Sequence, residues 1–230
     1  MSRTPRTPLN DMTDLVLLDY DGVIVDSAQP VLEQTAVFCK DQGLPFSLTL
    51  ADFDRLDPAT FTMLAKVAGI PDPDHRAYGR FLFDTLQNGT TQIALFDGIS
   101  EMLRDLSERH ILCVVTANHA DVVRTRLAQE GLNDCIGTYY GSDRPGGKAE
   151  HIREALNHYA IDARQTWMVG DSVSDIDAAR TAGVNALAVG WGWQSAVVLK
   201  TRAPDHIFQT PQELHAFLSR PLALSQTSHS

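Results

Sequence analysis

LVLLDYDGVIVDS, residues 15–27, begins with four consecutive apolar residues, the composition of a strand buried on both faces. Asp19 and Asp21 follow at once, where the strand is expected to end, and Gly22 favours a turn. Alternate residues of an extended chain point to the same side, so both carboxylates are predicted to face one cleft. A second apolar run leads to Asp26, which we interpret as a structural cap and not as a catalytic acid.

The composition limits the classes of protein to consider. With 230 residues and 43% hydrophobic content, the chain can bury a core as one large domain or as a domain with an insert. Its net charge of −10 argues against a nucleic-acid partner. Because no run of about 18 apolar residues occurs, no membrane partner is expected. Cys39, Cys113 and Cys135 lack metal or disulfide spacing, which favours a cytoplasmic location. The oligomeric state (monomer or homodimer) and the true start, Met1 or Met12, stay open.

Short apolar runs alternate with segments of helical periodicity along most of the chain, which predicts an α/β fold with a parallel sheet covered on both faces. The predicted strands are Asp14–Asp19, Ile111–Thr116, Thr166–Asp171, Asn185–Gly190 and Asp205–Phe208. The predicted helices between and after them are Ile99–Glu108, Ala120–Glu130, Ala149–Tyr159, Ile176–Ala182 and Pro211–Leu218, the last with Thr210 as its N-cap.

Residues 28–95 interrupt this alternation because they contain no convincing apolar strand. Their helical patterns cover Gln29–Gln42, Pro58–Ala68 and Asp74–Gln87. We predict that residues 28–95 form an inserted α-helical domain, carried by a core domain made of residues 12–27 and 96–220. Residues 1–11 and 221–230 are predicted to be flexible termini.

Polar residues stand at the carboxyl ends of several predicted strands, which is where open parallel sheets bind ligands. Each of these residues alone is compatible with a turn, a helix cap or a surface lysine. Their occurrence together, at successive strand ends and loops, favours one shared site. The set comprises Asp19, Asp21, Thr116, Ala117, Asn118, Lys148, Asp171, Ser172 and Asp175.

The chemistry of this set predicts a magnesium-dependent site for phosphoryl transfer. Clustered carboxylates repel one another unless a cation neutralises them, and Mg²⁺ is usually held by one or two carboxylates and a substrate phosphate. A carboxylate can attack phosphorus, and a second carboxyl two residues on can protonate the leaving group and then activate water. Lys148 can balance the charge of a nucleophilic carboxylate and of the substrate, while Thr116 and Asn118 supply neutral donors.

These segments resemble the motifs of the haloacid dehalogenase (HAD) superfamily. DYDGVIVDS is similar to its first motif, DxDGxxxDS, and GDSVSDIDAARTAG, residues 170–183, is similar to its fourth. Thr116 and Lys148 stand where the second and third motifs have a Ser or Thr and a Lys. The resemblance covers residues 14–218. It implies a Rossmann-like core with a helical cap inserted after the first motif.

The resemblance also implies a role for each residue of the set. Asp19 takes the place of the nucleophile and Asp21 that of the general acid and base. Asp19, the backbone carbonyl of Asp21, and Asp171 take the place of the Mg²⁺ ligands. The remaining positions are Thr116, Ala117, Asn118 and Lys148 for binding the phosphoryl group, and Asp175 and Ser172 for supporting the metal or adding a ligand to it.

Asp21 narrows the range of reactions expected within the superfamily. The alkoxide that leaves from a C–O–P ester needs a proton, whereas the halide that leaves from a haloacid does not. Lys148-Ala149-Glu150 departs from the Lys-Pro-x-Pro-Asp usual in sugar phosphomutases and resembles the phosphoglycolate phosphatase branch. We therefore expect a phosphatase that acts on a small phosphomonoester, phosphoglycolate-like or a sugar phosphate, through an aspartyl-phosphate. The alternatives are a sugar phosphomutase of the β-phosphoglucomutase type and a catalytically idle HAD-like binding or regulatory protein.

Two further groups of residues are candidates for contact with the substrate. In the insert, the densest basic stretch is HRAYGR, and its residues His75, Arg76 and Arg80 are the candidates if the cap touches the substrate. Near the end of the core, Trp191 and Trp193 either border the cleft or pack a loop against the core.

Overall fold

The computed structural model describes residues 13–88 and 93–220. Within these ranges one parallel sheet contains the strands β1 (Leu15–Leu18), β2 (Ile111–Val115), β3 (Ile136–Tyr140), β4 (Thr166–Gly170), β5 (Asn185–Val189) and β6 (His206–Phe208). Their order in the sheet is β3-β2-β1-β4-β5-β6, which confirms the predicted α/β class. The predicted flexible termini, residues 1–11 and 221–230, and the possible start Met12 lie outside the described residues.

The core is built around β1, which pairs with β2 on one side and β4 on the other. Val16 and Leu18 point into one apolar cluster, and Leu15 and Leu17 point into another, as the alternation of an extended chain requires. Helices α4 (Ile99–Ser107), α5 (Ala120–Gln129) and α9 (Pro211–Leu218) cover the first face; α6 (Lys148–Tyr159), α7 (Val173–Ala182) and α8 (Ala196–Lys200) cover the second. None of the helices in the described ranges has the length and apolar character needed to cross a bilayer.

The structure adds a strand, β3, and a short helix, α8, that the sequence did not predict, and it lengthens helix α7 at its start. Strand β3 lies at the edge of the sheet, and Gly137 within it is exposed, so its residues do not form a continuous apolar run. Helix α7 begins at Val173 and not at Ile176, because Ser172 caps its first turn by accepting a hydrogen bond from the backbone N–H of Asp175.

The insert between β1 and α4 contains the helices α1 (Ala28–Asp41), α2 (Phe61–Val67) and α3 (His75–Asn88), with a 3₁₀ segment at Leu50–Arg55. Its apolar side chains form a third cluster that includes Phe38, Phe53 and Leu82. Inside that cluster the hydroxyls of Thr35 and Tyr78 lie 2.7 Å apart and form a hydrogen bond. The division into a core domain and a cap domain at residues 27/28 and 95/96 stays a prediction.

Two segments join the insert to the core, and they run side by side. Val25 pairs with Leu95 in an antiparallel bridge, and the backbone N–H of Asp26 donates to the carbonyl of Ala94 at 2.9 Å. The interpretation of Asp26 as a cap is wrong, because Ser27 is the N-cap residue of α1 and the Asp26 side chain is exposed.

Candidate active site

A cleft of about 280 Å³ opens at the carboxyl ends of β1, β2 and β4. The strand order reverses at β1, which is the position at which open α/β sheets bind ligands. The core residues that line the cleft are Asp19, Asp21, Ala117, Asn118, Lys148, Asp171, Ser172 and Trp193. Thr116 and Asp175, the other members of the predicted set, are buried behind this lining. Trp191 is not in the lining, because its indole N–H donates to the carbonyl of Val23 at 3.3 Å.

Asp19 is held at the end of β1 through its backbone and its side chain. Its backbone N–H donates to the carbonyl of Val169 at 2.9 Å, which extends the pairing of β1 with β4. Its Oδ1 accepts from the N–H of Tyr20 at 2.7 Å, and its Oδ2 accepts from Lys148 Nζ at 2.5 Å. The carboxylate is therefore fixed in one orientation at the base of the cleft.

Lys148 connects two carboxylates from the first residue of α6. Its Nζ donates to Asp19 Oδ2 and to Asp175 Oδ1, each at 2.5 Å. The other oxygen of Asp175 accepts from the backbone N–H of Ser172 at 3.1 Å and from its hydroxyl at 2.6 Å. Because both oxygens of Asp175 have partners within the protein, this residue positions Lys148 and closes the first turn of α7.

Asp171 lies at the end of β4 between two glycines. Its Oδ2 accepts from the backbone N–H of Trp193 at 2.6 Å. A Cβ atom on Gly22 would lie 1.7 Å from Asp171 Oδ2, and one on Gly192 would lie 2.4 Å from the same oxygen. Gly22 also has a φ of +73°, which residues with a side chain rarely adopt. The glycine of the first motif is thus required for the close approach of the Asp171 carboxylate to the backbone.

We expect Gly22→Ala to lower turnover about 10²-fold, because the added Cβ must displace the Asp171 carboxylate. The matched control is Gly183→Ala, since Gly183 has a similar φ of +80° and no atom within 4 Å of an added Cβ. Both variants should lose about 1–2 kcal/mol of unfolding free energy from the left-handed backbone. Denaturant unfolding and initial rates measure the two effects. An equal loss of turnover in both variants would contradict this role of Gly22.

Asp21 is half-buried, and its side chain has polar partners from two other parts of the chain. Its Oδ2 accepts from the side-chain amide of Asn118 at 2.5 Å, and its carboxylate also bonds the hydroxyl of Ser27. The Ser27 hydroxyl in turn accepts from the indole N–H of Trp193 at 3.1 Å. Thr116 supports this group indirectly, because its hydroxyl accepts from the backbone N–H of Asn118 at 3.0 Å.

Burial and mutual repulsion favour the protonated forms of the carboxyls in the metal-free cleft. Burial, with the nearby Asp175, raises the pKa of Asp19 to about 7 despite the opposing effect of Lys148. Burial also raises the pKa of Asp21, and burial together with Asp175 and Asp19 raises the pKa of Asp171 well above its ordinary value. Burial alone would lower the pKa of Lys148, but the carboxylates of Asp175 and Asp19 outweigh it and raise this pKa.

The donor set fits a small divalent cation. Asp19, Asp171 and Asp175 are buried, and each offers an oxygen within 4.8 Å of the others. Of the described residues that line the cleft, Lys148 is the one cation available to balance these carboxylates. Mg²⁺ accepts such hard oxygen ligands and would supply the missing charge. Asp19 and Asp171 line the cleft and Asp175 does not, so the first two suit this role better.

The insert lines the cleft with residues other than those predicted from the sequence. Its lining residues are Ala59, Thr60, Phe61 and Thr62, at the start of α2. His75, Arg76 and Arg80 are absent from the described lining. The side chain of His75 bonds the carbonyl of Ile70 at 2.8 Å, and Arg76 and Arg80 are exposed on α3. The structure therefore does not bring the predicted cap candidates to the cleft.

A turn at residues 193–195 binds the insert to the core beside the cleft. The buried side chain of Gln194 accepts from the N–H of Val173 at 2.7 Å and donates to the carbonyls of Phe53 at 3.3 Å and Leu56 at 2.7 Å. Ser195 donates to Asp54 through its backbone N–H at 2.7 Å and its hydroxyl at 2.8 Å. The turn that supplies the Trp193 N–H to Asp171 is thus also the main described contact with the 3₁₀ segment of the insert.

The parallel sheet, the cleft at its strand ends and the similarities to known proteins together define this protein as a hydrolase of phosphoric monoesters. Residues 16–189 match the family described as haloacid dehalogenase-like hydrolases. The chain belongs to this family, which confirms the resemblance found in the sequence motifs.

Known proteins similar to the chain include phosphatases. It is 25% identical over 206 residues to the phosphoglycolate phosphatase of Synechococcus elongatus, covering 86% of this chain and 94% of that one. It is 24% identical over 218 residues to the phosphoglycolate phosphatase of Nitrosococcus oceani, with 90% and 97% coverage. A haloacid dehalogenase-like hydrolase from Streptococcus pneumoniae has the same fold, with a TM-score of 0.74, 22% identity and 90% and 98% coverage.

Proposed function

We propose that the chain hydrolyses small phosphomonoesters through an aspartyl-phosphate formed on Asp19. The observation that carries the proposal is the Asp19–Lys148 contact of 2.5 Å at the base of a cleft that Asp21 also lines. An oriented carboxylate next to a lysine can accept a phosphoryl group whose negative charge the lysine balances.

The proposed reaction consists of two successive displacements at phosphorus. In the first, an Asp19 oxygen forms a bond to phosphorus, the ester P–O bond breaks, and Asp21 in its acid form gives its proton to the departing alkoxide. In the second, the Asp21 carboxylate takes a proton from water as the water oxygen attacks phosphorus. Phosphate leaves, Asp19 is regenerated as a carboxylate, and Asp21 is again an acid. The raised pKa of Asp21 suits this double use.

The other polar residues bind and orient the phosphoryl group. Lys148 and the amide of Asn118 are cationic and neutral donors in the lining, and Thr116 fixes Asn118 from behind. Asp19, the backbone carbonyl of Asp21, and Asp171 would hold Mg²⁺. When bound, the ion neutralises charge on the transferring group and offsets the repulsion among the carboxylates.

We expect Mg²⁺ to raise the melting temperature more at about pH 8 than at about pH 5. The pKa of Asp19 is raised to about 7, so the metal-free folded state keeps a proton that the unfolded chain has lost. Stability of the metal-free protein therefore falls as pH rises from about 4 to about 7, and Mg²⁺ binding to the carboxylates opposes that fall. Thermal unfolding with Mg²⁺ or with EDTA measures this. Asp171→Asn should lose the Mg²⁺-dependent shift; a shift of equal size at both pH values would contradict the assignment.

The test of the proposed function is Mg²⁺-dependent release of phosphate from p-nitrophenyl phosphate and a panel of small phosphate esters. Release of phosphate supports a phosphatase, whereas isomerisation of a sugar phosphate without net release supports the phosphomutase alternative. Absence of turnover with every ester favours the idle binding protein.

We include a reducing, cytoplasmic location in this proposal, because Cys39, Cys113 and Cys135 are all free thiols.

A further inference from the structure

The insert presents an uncharged surface to the substrate. On the cap side, the cleft is lined by Ala59, Thr60, Phe61 and Thr62, and the adjoining core residue is Trp193. The charged residues in the described lining all belong to the reaction centre: Asp19, Asp21, Asp171 and Lys148. The part of a substrate that extends from the phosphoryl group toward the insert therefore meets rings, methyl groups and hydroxyls.

Lys148 cannot also serve a second anion on the substrate. Its Nζ contacts Asp19 and Asp175 at 2.5 Å each, and it faces the phosphoryl group as well. A carboxylate or second phosphate on the leaving group would lie near Asp21 and Asp171 without a cation of its own. Placing a negative charge beside other negative charges in a partly buried cleft is unfavourable.

Two arginines that lie outside the described lining of the cleft have other partners. Arg126 is close enough to lower the pKa of Asp21, but its guanidinium donates to the carbonyl of Leu86 on the insert. Arg202 forms ion pairs with Asp57 at 2.7 Å and with Asp177 at 3.1 Å. Neither arginine is in the described lining of the cleft.

Aromatic side chains form the wall that faces the leaving group. The rings of Phe61 and Trp193 lie 6.4 Å apart, and the ring of Phe53 packs behind Trp193 at 5.0 Å. The indole N–H of Trp193 is already bonded to Ser27, so the ring offers an apolar face to the cleft. Such a wall suits the carbon skeleton of an alcohol, and the hydroxyls of Thr60 and Thr62 can bond its remaining hydroxyls.

We propose that the physiological substrate is the phosphate ester of an uncharged alcohol, with Phe61, Thr62 and Trp193 as the residues that select it. This inference rests on the proposed phosphatase activity and deepens it. Phosphoglycolate, the substrate in the name of several relatives, carries a carboxylate on its leaving group and does not match this lining.

Two esters that differ in one terminal group and by a single heavy atom test the inference. 2-Phosphoglycolate and 2-hydroxyethyl phosphate differ in having a carboxylate or an uncharged CH₂OH group at the same position. The expected result is a kcat/KM at least about tenfold higher for hydroxyethyl phosphate. A ratio of one, or a preference for phosphoglycolate, overturns the inference while phosphatase activity stands. No release of phosphate from either ester or from p-nitrophenyl phosphate overturns the proposed function itself, and the inference with it.

Two variants and one control locate the selection in the cap wall, by which we mean the lining residues of the insert, Ala59, Thr60, Phe61 and Thr62. Thr62→Arg places a cation in the lining and should shift the kcat/KM ratio about tenfold or more toward phosphoglycolate. Thr125→Arg, a matched change at an exposed site on α5, should leave the ratio unchanged. Phe61→Ala should raise KM for hydroxyethyl phosphate with a smaller effect on kcat. If Thr62→Arg and Thr125→Arg behave alike, the cap wall does not select the leaving group.

Discussion

Asp19→Asn is expected to abolish phosphate release, lowering kcat by about 10⁴-fold or more, beyond the usual contribution of a general acid or base alone. The amide has nearly the shape of the carboxylate but no negative oxygen with which to attack phosphorus. It also removes the charged partner that Lys148 contacts at 2.5 Å. Acid quenching of the enzyme with a radiolabelled ester should trap a covalent phosphoenzyme in the wild type and none in this variant.

The fold of Asp19→Asn should persist, so a loss of activity can be read as a loss of chemistry. Asp19 is one of three clustered carboxylates, and neutralising it relieves part of their mutual repulsion. Thermal unfolding in EDTA should therefore show a melting temperature at or near that of the wild type. Retained phosphoenzyme in a folded Asp19→Asn protein would assign the nucleophile to another residue.

Asp21→Asn is expected to lower turnover of alkyl phosphates by roughly 10²–10⁴-fold, because it removes the proton that the departing alkoxide needs. The first step with p-nitrophenyl phosphate should suffer much less, since p-nitrophenolate leaves without protonation. Hydrolysis of the phosphoenzyme should still be slow, because water has lost its base. A burst of p-nitrophenol followed by slow turnover, with trapped phosphoenzyme, is the distinguishing observation.

The matched control is Asp26→Asn, which neutralises an exposed acid in the same segment. Mg²⁺ affinity, measured by thermal shift, should survive in Asp21→Asn, because the proposed metal contact of this residue is its backbone carbonyl. If Asp21→Asn slows formation of the phosphoenzyme equally with both esters, or loses Mg²⁺ affinity in proportion to turnover, Asp21 is not the acid.

The sequence predicts the core of the fold because its signals there are local. β1 is apolar in all four positions since it lies in the middle of the sheet, and the helices that cover it carry caps such as Thr210. β3 escapes such reasoning because an edge strand does not need a continuous apolar run. Its exposed Gly137 and half-buried Thr138 look like loop residues until their pairing with β2 is known.

Local sequence signals also allow the carboxylates and Lys148 of the cleft to be predicted. They do not allow the lining residues of the insert to be predicted. The carboxylates and Lys148 follow strands or begin a helix, so topology brings them together. Phe61 and Thr62 have no sequence signal beyond the N-cap Thr60, and their position over the cleft depends on how the insert packs. Gln194 is a single amide in a loop, and the residues next to it in the sequence do not predict that it is buried between insert and core.

The insert and the core are held together more firmly on one side of the cleft than on the other, because the turn at residues 193–195 lies on the first side. On one side, separating insert from core must break the two bonds of Gln194 to the insert and the two bonds of Ser195 to Asp54. On the opposite side, the described contacts are the ring contact of Phe83 with His119 and the bond of Arg126 to Leu86. We therefore expect the insert to rotate about its contacts with Gln194, so that the ester enters between α3 and α5. Because the same turn donates the Trp193 N–H to Asp171, the movement of the insert and the proposed binding of Mg²⁺ are expected to be thermodynamically linked, each altering the other by the same factor.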